Sequence, residues 1–557
     1  IMSIFNSYSD NPPCRVMNQE DSPFVGREAE LSQLDGYLER ALKGQGCVAF
    51  VTGGAGRGKT VLVQEFARRA QVRQTDLIVV NGNCNAHTGV GDPYLPFREI
   101  LELLTGDIEA RWAARAIGQE HARRLWNLLP HSFQALVNNG LDLIDLFIPG
   151  PVLLNRATAL APGNADWLAQ LQRLVTPQSA SRGLAKVEQH TLIEQYARVL
   201  QALTRYRPLL LILDDLQWVD AGSINLLFHL GRRLEGSRLM IVGIYRPADV
   251  AIGRDGERHP LEPVVSEFQR YFGQNQVDLS QTDDRHFVEA FLDTEPNRLG
   301  LAFREALYQH AGGHALFTVE MLRGMQERGD LVRDKDGLWI EGPALDWETL
   351  PARIEGVIGG RIGRLPAALQ EILQVASVEG ENFTAEVVAQ VQRVDEQELI
   401  RQLSRILDRQ HRLVKGLSSR RLGREGARLS HYRFRHILFQ KYLYTRLDEV
   451  ERGYLHQAVG TVLEQLYENR TEEVAGQLAR HFQAAGLTEK AISYLRQAGE
   501  RAVRLSAHED AIALFTKALR RALHKSPFLP KLPIFHRGVD NVAKICQPVL
   551  RNRTKPP

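Results

Sequence analysis

The chain has 557 residues, room for roughly three or four domains, and its 44% hydrophobic and 24% charged residues are the proportions of a folded globular chain, which excludes wholesale disorder. Its 69 Lys and Arg against 66 Asp and Glu leave a net charge of +3, which excludes the strongly basic balance of a chain built to coat nucleic acid. Four cysteines, Cys14, Cys47, Cys84 and Cys546, show no paired spacing, which excludes a zinc ribbon or a disulfide framework and leads us to expect reduced thiols in a cytoplasmic protein.

In chain order, residues 1–21 lack a basic and an apolar region of export type, and no run of about 18 apolar residues follows anywhere, so neither export nor a membrane span is expected. The chain opens with Ile1 and Met17 directly precedes the first motif, so the first sixteen residues are expected to carry no function and 1–21 to be disordered.

From Gly46 the pattern is a strand through Cys47 and Val51, a glycine-rich turn, and a helix through Val61, Leu62 and Phe66, the first βα step of a parallel α/β sheet. Apolar runs at Leu77–Val80, Leu209–Leu213 and Leu239–Ile244 supply further buried strands, within an ATPase domain expected over 22–255. Between them, at about 96–207, helical periodicity broken around Pro149, Gly150 and Pro151 predicts a helical insertion.

After about Asp255 the strand pattern stops, and helical spacing at 284–291, 301–310 and 316–328 predicts an all-α lid over 256–345. Residues 346–450 offer helices near Pro351, Pro366, Thr384 and Asp395, then two strands around Leu413 and Ser430, the order of a winged helix. Over 451–524, Ala491, Leu495 and Ala498 are echoed by Ala511, Phe515 and Ala518, as in stacked, degenerate helical hairpins of tetratricopeptide type. The last stretch, 525–557, turns rich in Pro and basic residues and is expected to be an irregular tail.

The chemistry concentrates in Gly53-Gly54-Ala55-Gly56-Arg57-Gly58-Lys59-Thr60, a G-x-x-x-x-G-K-T pattern between strand and helix. Glycines allow main-chain N–H groups to converge on phosphate oxygens, and the helix through Val61 aims its positive end at the same anion. Lys59 adds a point charge, and the Thr60 hydroxyl is a Mg²⁺ ligand. The apolar strand ending in Asp214-Asp215 delivers two carboxylates to the same sheet edge: Asp214 toward Mg²⁺, Asp215 to orient or deprotonate a water, so ATP hydrolysis is chemically available. No H-E-x-x-H, Cys-His or G-x-S-x-G arrangement offers a rival chemistry.

With these motifs placed, the chain resembles the STAND class of signalling ATPases, whose ATPase module is similar to that of AAA and origin-recognition proteins and is found in LuxR-type and cyclase-associated bacterial regulators. The resemblance is carried by Phe24-Val25-Gly26-Arg27-Glu28, the glycine loop, Tyr94-Leu95-Pro96-Phe97-Arg98, Leu213 to Asp220 and Gly243-Ile244-Tyr245-Arg246-Pro247. It implies Val25 and Arg27 beside the adenine and Arg246 as a γ-phosphate sensor. It implies His436, in Phe434-Arg435-His436, on the β-phosphate of ADP, and Gly312-Gly313-His314-Ala315-Leu316-Phe317 as a lid motif with Ala315 where the family has proline. The function it implies is a slow, regulatory ATPase switched between ATP and ADP, sensing a protein or small-molecule inducer through the helical repeats and assembling with copies of itself. Two alternatives stay open: a DNA-binding initiator-type ATPase using Arg420, Arg421, Arg424 and Arg428, which is not favoured, and a fragment of a larger transcriptional regulator or adenylate-cyclase-associated protein.

Overall fold

The computed structural model describes residues 24–84, 92–113, 117–160, 166–175, 188–252, 259–281, 284–343, 345, 347, 354–421 and 428–525. Residues 1–21 and 526–557, with Cys14 and Cys546, lie outside the described residues, and Lys525, expected to open the tail, ends a helix.

Four apolar runs form strands of one parallel sheet: β1 (Cys47–Thr52), β2 (Ile78–Asn83), β3 (Leu209–Asp214) and β4 (Leu239–Tyr245). β1, β3 and β4 are buried at every position, as a strand covered by helices on both faces must be. A fifth strand, β5 (Gln276–Asp278), pairs in parallel with β1 and completes the order β2-β3-β4-β1-β5. It falls beyond Asp255, where the strand pattern was expected to have stopped. Three residues with a single fully buried side chain, Val277, carry no periodicity, and main-chain pairing and Gln276 Nε2 donating to Thr52 Oγ1 (3.0 Å) hold the strand in place.

The stretch between β2 and β3 is helical, as expected, but Pro149-Gly150-Pro151 opens a helix instead of breaking one. The Asp145 carboxylate accepts from Gly150 N at 2.7 Å, and Pro151 sits in the first turn of the helix Gly150–Leu160, where no intrahelical donor is needed.

After β5 come the helices Asp284–Leu292, Leu301–Ala311 and Ala315–Arg328, near their expected places. The segment is not all-α, however: β6 (Leu331–Arg333) and β7 (Trp339–Glu341) form a hairpin. Its turn depends on Asp334, whose Oδ1 accepts from the main chain of Asp336 and Leu338, and on Gly337 with φ +79°.

The next helices, Ile354–Gly363, Ala367–Glu379, Ala385–Gln392 and Glu396–Arg401, surround β8 (Asn382–Thr384), β9 (Val414–Arg421) and β10 (Arg428–Phe434), an antiparallel sheet ordered β8-β10-β9. Arg424 and the rest of the turn joining β9 to β10 lie outside the described residues. Four long helices follow, Glu449–Tyr467, Ala475–Ala484, Thr488–Arg504 and His508–Lys525. Gly499 faces the Phe515 ring so closely that a Cβ there would stand 2.7 Å from it, the pairing of small with large that the sequence echo predicts.

These helices pack back onto the parallel sheet's own helices. Asp510 accepts from Ala221 N (3.4 Å) and Gly222 N (3.3 Å), at the start of the helix Ala221–Gly231 that follows the Asp214-Asp215 strand. Arg501 meets Asp92 at 3.2 Å. Burial, with Asp220 next to it, pushes the Asp510 carboxyl above its ordinary range.

Candidate functional site

The glycine loop runs from β1 into the helix Lys59–Arg73, whose N-cap is Gly58 at φ +86°. The first intrahelical bond is Leu62 N to Gly58 O, so the N–H groups of Lys59, Thr60 and Val61 remain open to an anion. The Val61 side chain is 53% exposed, so this residue offers the cradle its main chain alone. Gly56, at φ +74°, could not carry a side chain: its Cβ would stand 2.3 Å from His314 Cε1.

Lys59 is buried, and its ammonium donates to Gly53 O and Gly54 O, each at 2.8 Å. Burial first, then Arg246, lower it to about 8, against the opposing pull of Asp215, Asp214 and Asp249. Thr60 Oγ1 donates to Asp214 Oδ2 at 3.2 Å, bringing together the two residues expected to hold magnesium. Burial and the adjacent Asp215 hold the Asp214 carboxyl above its usual range, and Arg433 and Thr60 pull it back.

Asp215 takes the left-handed conformation, φ +57°, which turns its carboxylate aside from the strand direction. Its Oδ1 accepts from Gln217 Nε2 at 2.7 Å and stands 3.7 Å from Arg246 Nη2. Arg246 is positioned through its own N–H, which donates to Gln217 Oε1 (3.2 Å), and its buried Nε has no hydrogen-bond partner among the described residues.

Two more segments close on the loop. His314 caps the helix Ala315–Arg328 by accepting from Phe317 N at Nδ1 (3.3 Å), and its Nε2 donates to Ala55 O at 2.6 Å. Leu316 N also donates to Gly56 O. His436 caps the helix Ile437–Arg446 in the same manner, Nδ1 accepting from Leu438 N at 3.1 Å. Burial first, then Arg246, His314, Lys59 and Arg433, depress its pKa to about 3, so it is a neutral imidazole with an Nε2–H donor at every ordinary pH.

Val25 packs with the apolar cluster of the helices after β5, and Gly26 (φ +69°) lies against Phe287. Arg27 is buried, paired with Glu30 at 3.2 Å and 6.0 Å from the Phe287 ring centre, with Nη2 lacking a partner among the described residues. The half-buried Arg57 lies at the loop's edge. Sequence reasoning missed Gln217, Glu381 and Arg433. Gln217 stands inside a quoted motif and could have been noticed there. Glu381 and Arg433 are single charged residues in amphipathic segments, without a distinguishing pattern.

Open N–H groups, one ammonium, a buried guanidinium nitrogen without a partner and a hydroxyl beside a carboxylate suit a magnesium-bound polyphosphate. Among the described residues no group of three or more His, Cys, Asp or Glu is placed to hold a metal. Mg²⁺ needs none here, since it keeps waters and phosphate oxygens among its ligands.

Fold and site together define an α/β P-loop NTPase domain. Residues 23–242 match the model of the AAA ATPase domain family. An uncharacterized protein of Rhizobium meliloti (strain 1021) is 23% identical over 504 residues, 89% of this chain and 42% of its own length, so the chain spans less than half of that relative. Among solved structures, the chain is similar to a STAND protein with a tetratricopeptide repeat sensor from Pyrococcus horikoshii, at 15% identity and TM-score 0.38 over 96% of this chain and 67% of that one. Similarity extends to the Aeropyrum pernix ORC1 protein in complex with DNA, at 16% identity and TM-score 0.30 over 77% and 95%. Drosophila ORC bound to DNA follows, at 14% identity and TM-score 0.27 over 77% and 89%. Among the described residues no helix is long and apolar enough to cross a membrane.

Proposed function

We propose that the chain is a STAND-type signalling ATPase, a switch set by whether ATP or ADP occupies the glycine loop and reset by slow hydrolysis. In this reading residues 22–255 are the ATPase domain, 256–345 the lid, 346–450 a winged helix, and 451–524 tetratricopeptide-like repeats that receive a protein or small-molecule inducer. Homo-oligomers form in the ATP state.

The observation that carries the reading is the approach of three distant segments to one loop: residues 53–60, His314 against Ala55, and His436 within electrostatic reach of Lys59, Arg246 and His314. The main-chain N–H groups of Gly54 to Val61 and the Lys59 ammonium bind the phosphates. Thr60 and Asp214 hold Mg²⁺, which when bound neutralises charge on the β- and γ-phosphates. Val25 and Arg27 border the base. Arg246 contacts the γ-phosphate, and Asp215 aligns the attacking water. His436, a neutral donor, contacts the terminal phosphate of ADP, whereas the added phosphate of ATP opposes the docking of the β9–β10 hairpin, which His436 follows.

The test is to denature the purified protein and identify the nucleotide released, beside Lys59→Ala. ADP in the wild type and an empty variant are expected; equal nucleotide in both would end the proposal.

A further inference from the structure

One ion pair plays no part in that switch. Arg433 leaves β10 toward the P-loop sheet, and its guanidinium binds Glu381 through Nε (2.9 Å) and Nη2 (2.7 Å) while Nη2 lies 3.5 Å from Asp215 Oδ2. The first two contacts lie within one structural unit. Glu381 directly precedes β8, β8 pairs with β10 so that Arg433 faces Asn382, and Phe434 N donates to Glu381 O at 2.8 Å. Glu381 is only 8% exposed, so the pair moves as part of the hairpin sheet. Asp215 belongs to the other body, the end of β3.

The two oxygens of Asp215 are then both engaged: Oδ1 by Gln217 with Arg246 close by, Oδ2 by Arg433. A carboxylate that aligns a water must turn a lone pair toward it, and a guanidinium on that oxygen competes for the lone pair and lowers its basicity. Arg246 and Gln217 arise from the same sheet as Asp215 and stay with it. Arg433 alone comes from an element that can leave.

We propose that Arg433, held by Glu381, is a positioning residue that withholds Asp215 from the attacking water while the hairpin is docked, so that hydrolysis waits on undocking. The inference rests on the reading of Asp215 given above and deepens it: one arginine couples the hairpin's position to turnover, separately from the contact of His436 with nucleotide.

The test is steady-state turnover of Mg-ATP by the full chain, resolved into kcat and KM, for Arg433→Ala, Arg433→Lys, Glu381→Gln and Asp215→Asn. Removing the guanidinium or its anchor is expected to raise kcat about tenfold, part of the roughly 10²- to 10⁴-fold that a general base supplies, with KM unchanged. Arg433→Lys, which keeps the charge but lacks the planar fork that holds Glu381 through two nitrogens, should fall between. Glu381→Gln, nearly isosteric, serves if the alanine variant does not fold. A fall in kcat for Arg433→Ala would make the guanidinium an aid to the reaction and overturn the proposal. An unchanged kcat in both Arg433→Ala and Glu381→Gln would overturn it as well, by making the pair a spectator. If Asp215→Asn turns over as fast as wild type, the underlying reading of Asp215 fails, a result distinct from a slow Asp215→Asn beside an indifferent Arg433.

Discussion

The two segments that close on the glycine loop do so with opposite chemistry. The lid segment reaches it through hydrogen bonds to main-chain carbonyls, His314 to Ala55 O and Leu316 N to Gly56 O. The hairpin reaches it through charge, Arg433 to Asp215, and His436, which follows it, stands within electrostatic reach of Lys59, Arg246 and His314. Hydrogen bonds to main-chain carbonyls change little when a phosphate is added nearby, whereas an ion pair beside the phosphate site responds to every added charge. The lid is thus suited to stay and the hairpin to leave, although both present a helix-capping histidine.

That contrast can be broken experimentally, the largest effect first. His436→Ala should weaken ADP by about tenfold to a hundredfold, the worth of one hydrogen bond to a charged group, and shift the retained nucleotide toward ATP; chromatography of the released nucleotide reads this directly, and unchanged occupancy removes His436 from the switch. Raising the pH should separate the two sides. Lys59 is held at about 8, so above that pH the free protein loses the ammonium that phosphate binding must restore. Affinity should then fall by up to about tenfold per pH unit, while remaining flat below pH 8. Calorimetry across pH 7 to 10 checks it, and a flat profile means the charge is not used. The last effect, Gly56→Ala, is read on stability and not on affinity. A left-handed alanine against the His314 ring should cost about 1–3 kcal/mol, lowering Tm and loosening the lid, with an unaltered Tm showing that the lid contact does not form.

The P-loop side of the site was legible because its residues are contiguous and chemically constrained: eight consecutive positions carry the cradle, and Asp214 and Asp215 end an unmistakably apolar strand. The lid was half legible. Its motif could be recognised, but the bond that anchors it, His314 to Ala55, is a contact no local pattern encodes. β5 was invisible because Gln276 and Asp278 are polar and the strand is held by main-chain pairing. Arg433 and Glu381 were invisible for another reason. Their partner, Asp215, lies 218 residues before Arg433, and an ion pair between distant segments has no period. The helices after Leu447 were announced by alternating small and large residues, Ala491, Leu495 and Ala498 echoed by Ala511, Phe515 and Ala518.

The grip of Asp510 on Ala221 and Gly222 has a practical consequence for anyone shortening this chain. The helix that begins just past the acidic strand borrows an acceptor from 288 residues downstream, so a fragment cut at the end of the nucleotide-binding segment would leave its first amides bare and expose the apolar flank that the last helix covers. A truncated chain and an intact one would therefore differ beside the acidic strand as well as in the part removed, and properties measured on the fragment would describe a different molecule.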